Sequence, residues 1–119
     1  MRSATEADLD LLVRHRRGMS KEIHGYGPRK LNPADAVYRR WAKQQIRCGR
    51  LIGFVIDDAA KRPLASGCVW TREVHPRPGR LGGLEPYILS MFTEPGARGC
   101  GHARRILKAL LAWCRAKSF

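Results

Sequence analysis

A chain of 119 residues holds one domain, spanning 1–119, and is too short for two. At 44% hydrophobic and 28% charged it has the balance of a globular protein able to build a core. No apolar run is long enough to span a bilayer and no signal-peptide pattern is present, so a reducing cytoplasm is the expected compartment. The net charge is +13, and the arginines that dominate it are spread from Arg2 to Arg115 rather than gathered in one tail. Three readings compete for that charge: a polyanionic cofactor or acidic substrate, nucleic acid, or a compositional arginine bias with no partner. No zinc-finger, homeodomain or RNP pattern accompanies it.

Met1 to Ala4 reads as a short first strand. Thr5 and Asp8 form a capping-box-like helix start, and Glu6 and Asp8 suit the positive end of a helix dipole. That helix is expected to reach about Met19, burying Leu9, Leu12 and Val13, with Arg14 to Arg17 as a basic end and Gly18 weakening it. Ser20 to Leu31 contains Gly25, Gly27 and Pro28 and reads as a loop. Asn32-Pro33 is a helix-start signal. From it Ala34, Val37, Tyr38, Trp41, Gln45 and Cys48 follow helical spacing to a stop at Gly49. Leu51 to Ile56 and Leu64 to Val74, the second broken at Gly67, read as an antiparallel hairpin around a polar turn. His75 to Gly83, rich in proline, glycine and arginine, is the least structured stretch.

Tyr87 to Cys114 organises what precedes it. Tyr87 to Thr93 has strand composition, and Glu94-Pro95-Gly96 is a turn signal. Arg98-Gly99-Cys100-Gly101-His102 then opens a helix in which Ala103, Ile106, Leu107, Leu110, Leu111 and Cys114 form one apolar stripe. A helix start offers unpaired N–H donors and positive dipole, glycines allow close backbone approach, and arginine adds a forked cation. Strand, glycine-rich turn and helix therefore make a diphosphate cradle. It is neither the dinucleotide fingerprint nor the P-loop. The cysteines Cys48, Cys68, Cys100 and Cys114 include no C-x-x-C pair and no histidine at zinc spacing, so no metal is expected. Two of them sit at apolar positions and read as core thiols. Cys100 lies in the anion loop with no base placed beside it.

Arg98-x-x-Gly101-x-Ala103, following a strand and a proline three residues before the arginine, resembles motif A of the GNAT acetyltransferase superfamily. The element order β-α-α-β-β-β-α is similar to the first three quarters of that fold, an α/β (α+β) domain with a mixed, mostly antiparallel sheet flanked by helices. The resemblance implies an acetyl-CoA-dependent N-acetyltransferase, passing acetyl directly to an amine, and the phosphates of coenzyme A fit the first reading of the charge. It implies main-chain contacts from Met91, Phe92 and Thr93 to the pantetheine, with an N–H near Met91 facing the thioester oxygen. Arg98, Gly99, Cys100, Gly101, His102 and Ala103 would hold the pyrophosphate. Glu85, thirteen residues before Arg98, resembles the strand-four glutamate base of the histone-acetylating branch. Glu73 and Glu94 stand behind it as candidates. Ser90 would line the acceptor pocket, and the loop at Ser20 to Leu31 would shape it. Family members continue into a fifth strand and a helix whose tyrosine commonly protonates the departing thiolate. The expectation is thus a C-terminally truncated domain whose open fourth strand is covered by a homodimer partner. The alternative, from another class, is a non-catalytic basic module binding acyl-CoA or nucleic acid.

Overall fold

The computed structural model describes residues 1–119. In chain order the elements are β1 (Arg2–Ser3), a 3₁₀ turn at Glu6–Asp8, α1 (Leu9–His24), α2 (Pro28–Arg47), β2 (Leu51–Asp57), β3 (Pro63–Glu73), β4 (Leu84–Thr93), a 3₁₀ turn at Pro95–Ala97, and α3 (His102–Ala116). The strands form one antiparallel sheet in the order β1-β2-β3-β4, which leaves β4 at an edge. Pro86 is tolerated inside β4 for that reason, since an edge strand can spare a ladder donor.

Strand alternation splits the core between the two faces of the sheet. On one face Ile56, Ala65 and Val69 meet Ile106, Leu110 and Cys114 of α3. On the other, Leu51 and Cys68 meet Leu9 and Leu12 of α1 and Ala42 of α2, with Trp41 and Trp70 packed against them. Cys68 and Cys114 are the buried thiols, and burial pushes the Cys68 thiol up to about 12. The N-terminus is closed by the Thr5–Asp8 capping box, to which Arg2 adds a 2.9 Å ion pair with Asp8. No helix is long and apolar enough to cross a membrane.

Four expectations need correction. The first helix does not stop at Met19 but continues to His24, where left-handed Gly25 ends it. Gly18 does not weaken it: a Cβ there would lie 2.9 Å from Phe92 Cζ, so glycine allows α1 to lie close over β4. The loop at Ser20 to Leu31 shrinks to Gly25–Gly27, because α2 starts at Pro28 rather than at Asn32. Pro28 takes the first helical position, and Pro33 lies within the helix, exposed, at the cost of the N–H that would reach Arg29. β3 runs unbroken through Gly67. The irregularity lies across from it, in β4.

Candidate active site

Leu89 pairs with Cys68 and Phe92 pairs with Ser66, so Gly67 alone faces two residues of β4, Ser90 and Met91. That is a β-bulge, and Ser90 takes the left-handed conformation it requires, φ +57°. The extra residue resets the alternation of β4. Tyr87 and Leu89 face α1 and α2 before the bulge, and Phe92 faces them after it, while Met91 packs towards α3. Gly67 makes the bulge possible, since a Cβ there would run into Met91 Sδ and come within 2.7 Å of Ile106 Cγ2.

Past the bulge, a groove of about 380 Å³ runs between α1, the end of β4 and the start of α3. Met91, Phe92, Thr93, Arg98, Gly99, Gly101, His102 and Ala103 line it, together with Met19, Glu22 and Ile23 from α1. Of the residues read from sequence as a cradle, only Cys100 lies outside the lining; it is exposed, with Sγ 3.8 Å from the Arg98 carbonyl. Gly99 and Gly101 both stand at φ +79°, a region that costs other residues about 1 kcal/mol. Gly101 caps α3 without a side-chain bond, and none of the N–H groups from Gly99 to Arg104 donates to another main-chain group. Successive free donors at a helix start, with Arg98 and Arg104 beside them, form a concave anion site. A diphosphate fits this donor set, and nothing lies within 4 Å of where a Cβ would stand at either glycine.

The Arg98 guanidinium is already positioned. Its Nε donates to the Thr93 carbonyl at 3.0 Å, its Nη2 donates to Glu22 Oε1 at 2.5 Å, and it lies over the Phe92 ring. Glu22 is thus the carboxylate that any anion reaching this guanidinium would have to displace or share.

A network missed in the sequence holds this end of β4. His15, expected in a basic helix end, is 1% exposed. Its Nδ1 lies 2.6 Å from Ser66 Oγ and its Nε2 2.9 Å from Glu94 Oε1, and Phe92 packs on the ring at 4.9 Å between centroids. Because a carboxylate only accepts, Nε2 carries the ring proton and the Ser66 hydroxyl donates to Nδ1. Burial holds the imidazole pKa below its ordinary value despite Glu94. The order serine, histidine, glutamate is that of a nucleophilic triad, yet Ser66 is itself 1% exposed and reaches no substrate. The network is a brace between α1, β3 and the turn that leads to α3. Its signal was present in the sequence: His15 follows Leu11 and Leu12 at the +4 and +3 offsets of one buried stripe.

Before the bulge, a second cavity of about 640 Å³ lies between α1, α2 and the β3–β4 face, reaching β4 at Tyr87 and Leu89. Burial pushes the Tyr38 phenol up to about 12, and a neighbouring Ser90 hydroxyl partly offsets that effect. Glu85, the sequence candidate for a base, stands apart from both cavities. Its carboxylate lies 3.4 Å from Arg72 Nε and 3.7 Å from Arg77 Nη2. Five residues of extended strand, roughly 16 Å, separate it from Ser90. Glu94 is bound into the His15 brace, and Glu73 ends β3 on the surface.

The Acetyltransferase (GNAT) family model matches residues 16–119. No curated protein matches the chain. Among solved structures, a GCN5-related N-acetyltransferase from Ralstonia eutropha superposes with a TM-score of 0.89 at 25% identity, over 99% of this chain and 76% of that one. A predicted acetyltransferase from Clostridium acetobutylicum, solved with acetyl-CoA, gives 0.85 at 24% identity over 99% and 74%. An acetyltransferase from Trypanosoma brucei gives 0.63 at 20% identity over 98% and 74%. With the family model covering the cradle, the bulge and both cavity walls, the chain belongs to the GNAT acetyltransferase family.

Proposed function

We propose that this domain binds acetyl-CoA in the groove beside α3 and transfers its acetyl group to an amine held in the cavity between α1, α2 and β4. The observation that carries the reading is the row of free main-chain donors from Gly99 to Arg104 beside the β4 bulge. In this reading Arg98, Gly99, Gly101, His102 and Ala103 hold the pyrophosphate, with Cys100 contributing its main chain alone. Met91, Phe92 and Thr93 lie along the pantetheine, and the bulge aims a main-chain donor near Met91 at the thioester oxygen, where negative charge develops. The amine nitrogen bonds to the acetyl carbon, the C–S bond breaks, one proton leaves the nitrogen and one is taken up by the departing thiolate. The two cavities meet β4 before and after its bulge, and bringing the partners together there is the positional part of catalysis.

Glu85 is left as an anchor for Arg72 and Arg77 rather than the base, given its distance from Ser90. Four free cysteines support a reducing, cytoplasmic setting. A second copy of the chain pairs with the free edge of β4, where Tyr87 and Ile88 are exposed. Nucleic-acid binding is not favoured.

Release of free thiol from acetyl-CoA in the presence of an amine mixture, with a DNA duplex added as competitor, tests the reading. Amine-dependent thiol release is expected, unaffected by duplex, and with the same pH dependence in Glu85→Gln. Binding of duplex alone, with a steep salt dependence and no thiol release, contradicts it.

A further inference from the structure

The walls of the cavity between α1, α2 and β4 are selective in their chemistry. Tyr26, Tyr38, Trp41, Trp70 and Tyr87 supply five aromatic faces, and Trp41 meets Trp70 edge to face at 5.3 Å. Surfaces of this kind stabilise a ring or another large apolar body by area and by quadrupole. Two cations at the rim lack a carboxylate partner: Arg16 lies over the Tyr38 ring at 5.8 Å and Lys30 over the Tyr26 ring at 4.8 Å. Arg17, by contrast, is engaged by Asp35 at 2.6 Å and Asn32 at 2.9 Å. Towards β4 the lining is Tyr38, Tyr87 and Leu89. The Tyr38 hydroxyl and Ser90 Oγ are neighbours, both shut off from water, and Ser90, which is not part of the cavity lining, is 6% exposed. Ser90 is also the bulge residue, so the Tyr38 wall of the cavity is the one nearest the cofactor groove.

Resting on the acetyl-transfer reading above, the geometry points to a class of acceptor: a primary amine built on an aromatic or large apolar body that also carries an anionic group, carboxylate or phosphate. The body lies among the five rings, the anion meets Arg16 and Lys30 at the rim, and the amine points towards Tyr38 and Leu89, the wall next to the bulge. The nitrogen gains the acetyl carbon and loses one proton as the C–S bond breaks, and the thiol leaves protonated. Polyamines and lysine-rich peptides are rejected by the same two cations, within a chain of net charge +13.

Calorimetric titration of the native chain with four amines separates the contributions: phenylalanine (ring and carboxylate), pyridoxamine 5′-phosphate (ring and phosphate), phenethylamine (ring alone) and glutamate (anion alone). Acetyl-CoA binding and thiol release are measured in parallel. At least one ring-and-anion probe is expected to bind about tenfold more tightly than phenethylamine or glutamate, roughly one charge-assisted contact. Whether phenylalanine or pyridoxamine 5′-phosphate leads identifies the anion. Arg16→Ala/Lys30→Ala is expected to remove that advantage while leaving phenethylamine and acetyl-CoA binding within about twofold. Ala34→Trp, at an exposed position on the cavity wall, is expected to exclude every ring probe with an unchanged melting curve. Ring-and-anion probes that bind no better than phenethylamine and glutamate overturn the acceptor class, as does an advantage that survives the double substitution or ring binding that survives Ala34→Trp. If acetyl-CoA binds and these probes do not, the acceptor class falls and the transfer reading stands. If the probes bind in the expected pattern and no thiol is released, the cavity's ligand class stands and the transfer reading falls.

Discussion

His15 is buried against Ser66, Glu94, Arg14 and Phe92, and its folded-state pKa lies below the ordinary 6.5 because burial outweighs the pull of Glu94. The unfolded chain therefore takes up the proton first as pH falls. Stability from this site is complete above about 6.5 and is lost as pH drops towards the folded-state value. Urea unfolding at pH 7.5 and 5.5 checks this: His15→Gln should flatten the pH dependence while costing about 1–2 kcal/mol at the higher pH. An equal slope in both proteins contradicts it. The residue was misread in the sequence because it sits inside the run Arg14 to Arg17, where the charge of its neighbours hides its place on the stripe of Leu11 and Leu12.

The bulge is the element on which the two cavities depend, and it depends on Gly67. Gly67→Ala drives a methyl group into Met91 and against Ile106. The expected cost is about 1–3 kcal/mol in thermal unfolding, with a loss of acetyl-CoA affinity beyond what the lower stability explains. An unchanged affinity would separate the bulge from the site. The strands, the hairpin and the glycine cradle before α3 were legible in the sequence, because alternation, turn residues and helix starts are local signals. The extent of α1 and α2 was not. Gly18, Gly25, Gly27, Pro28 and Pro33 punctuate one stretch, and only the packing of Gly18 under Phe92 and the exposure of Pro33 decide which of them interrupt a helix. The cavity between α1, α2 and β4 was equally hidden, since it joins Tyr26, Trp41, Trp70 and Tyr87 from four elements and loops far apart in the chain. The bulge itself left no mark, because nothing in Leu89-Ser90-Met91 departs from an ordinary strand.

Across the whole molecule, many of the cations are tied to carboxylates on neighbouring elements: Arg2 with Asp57, Arg14 with Glu94, Arg17 with Asp35, and Arg47 with Glu6. Exposed pairs of this kind add little stability each, so the charge matters chiefly for the anions it attracts. Apolar surface gathers at the open side of the sheet, where Ile88 on β4 and Leu107 and Leu111 on α3 remain 36–39% exposed. On the proposal that a second copy covers this edge, sedimentation over a range of concentrations should show a dimer, weakened by Ile88→Lys; a monomer at all concentrations contradicts it. The proposed activity depends first on the glycine cradle. Glutamate at Gly101 would place a carboxylate where the helix dipole tolerates it, so the fold should survive at about 1 kcal/mol of backbone strain. The same side chain would fill the space that the proposal gives to the pyrophosphate. Calorimetric titration of the native chain and of Gly101→Glu with acetyl-CoA is therefore the most direct test: tight binding in the first and at least a tenfold loss in the second, with unfolding still cooperative, is the predicted result. Equal binding by both, or none by the native chain, would contradict it.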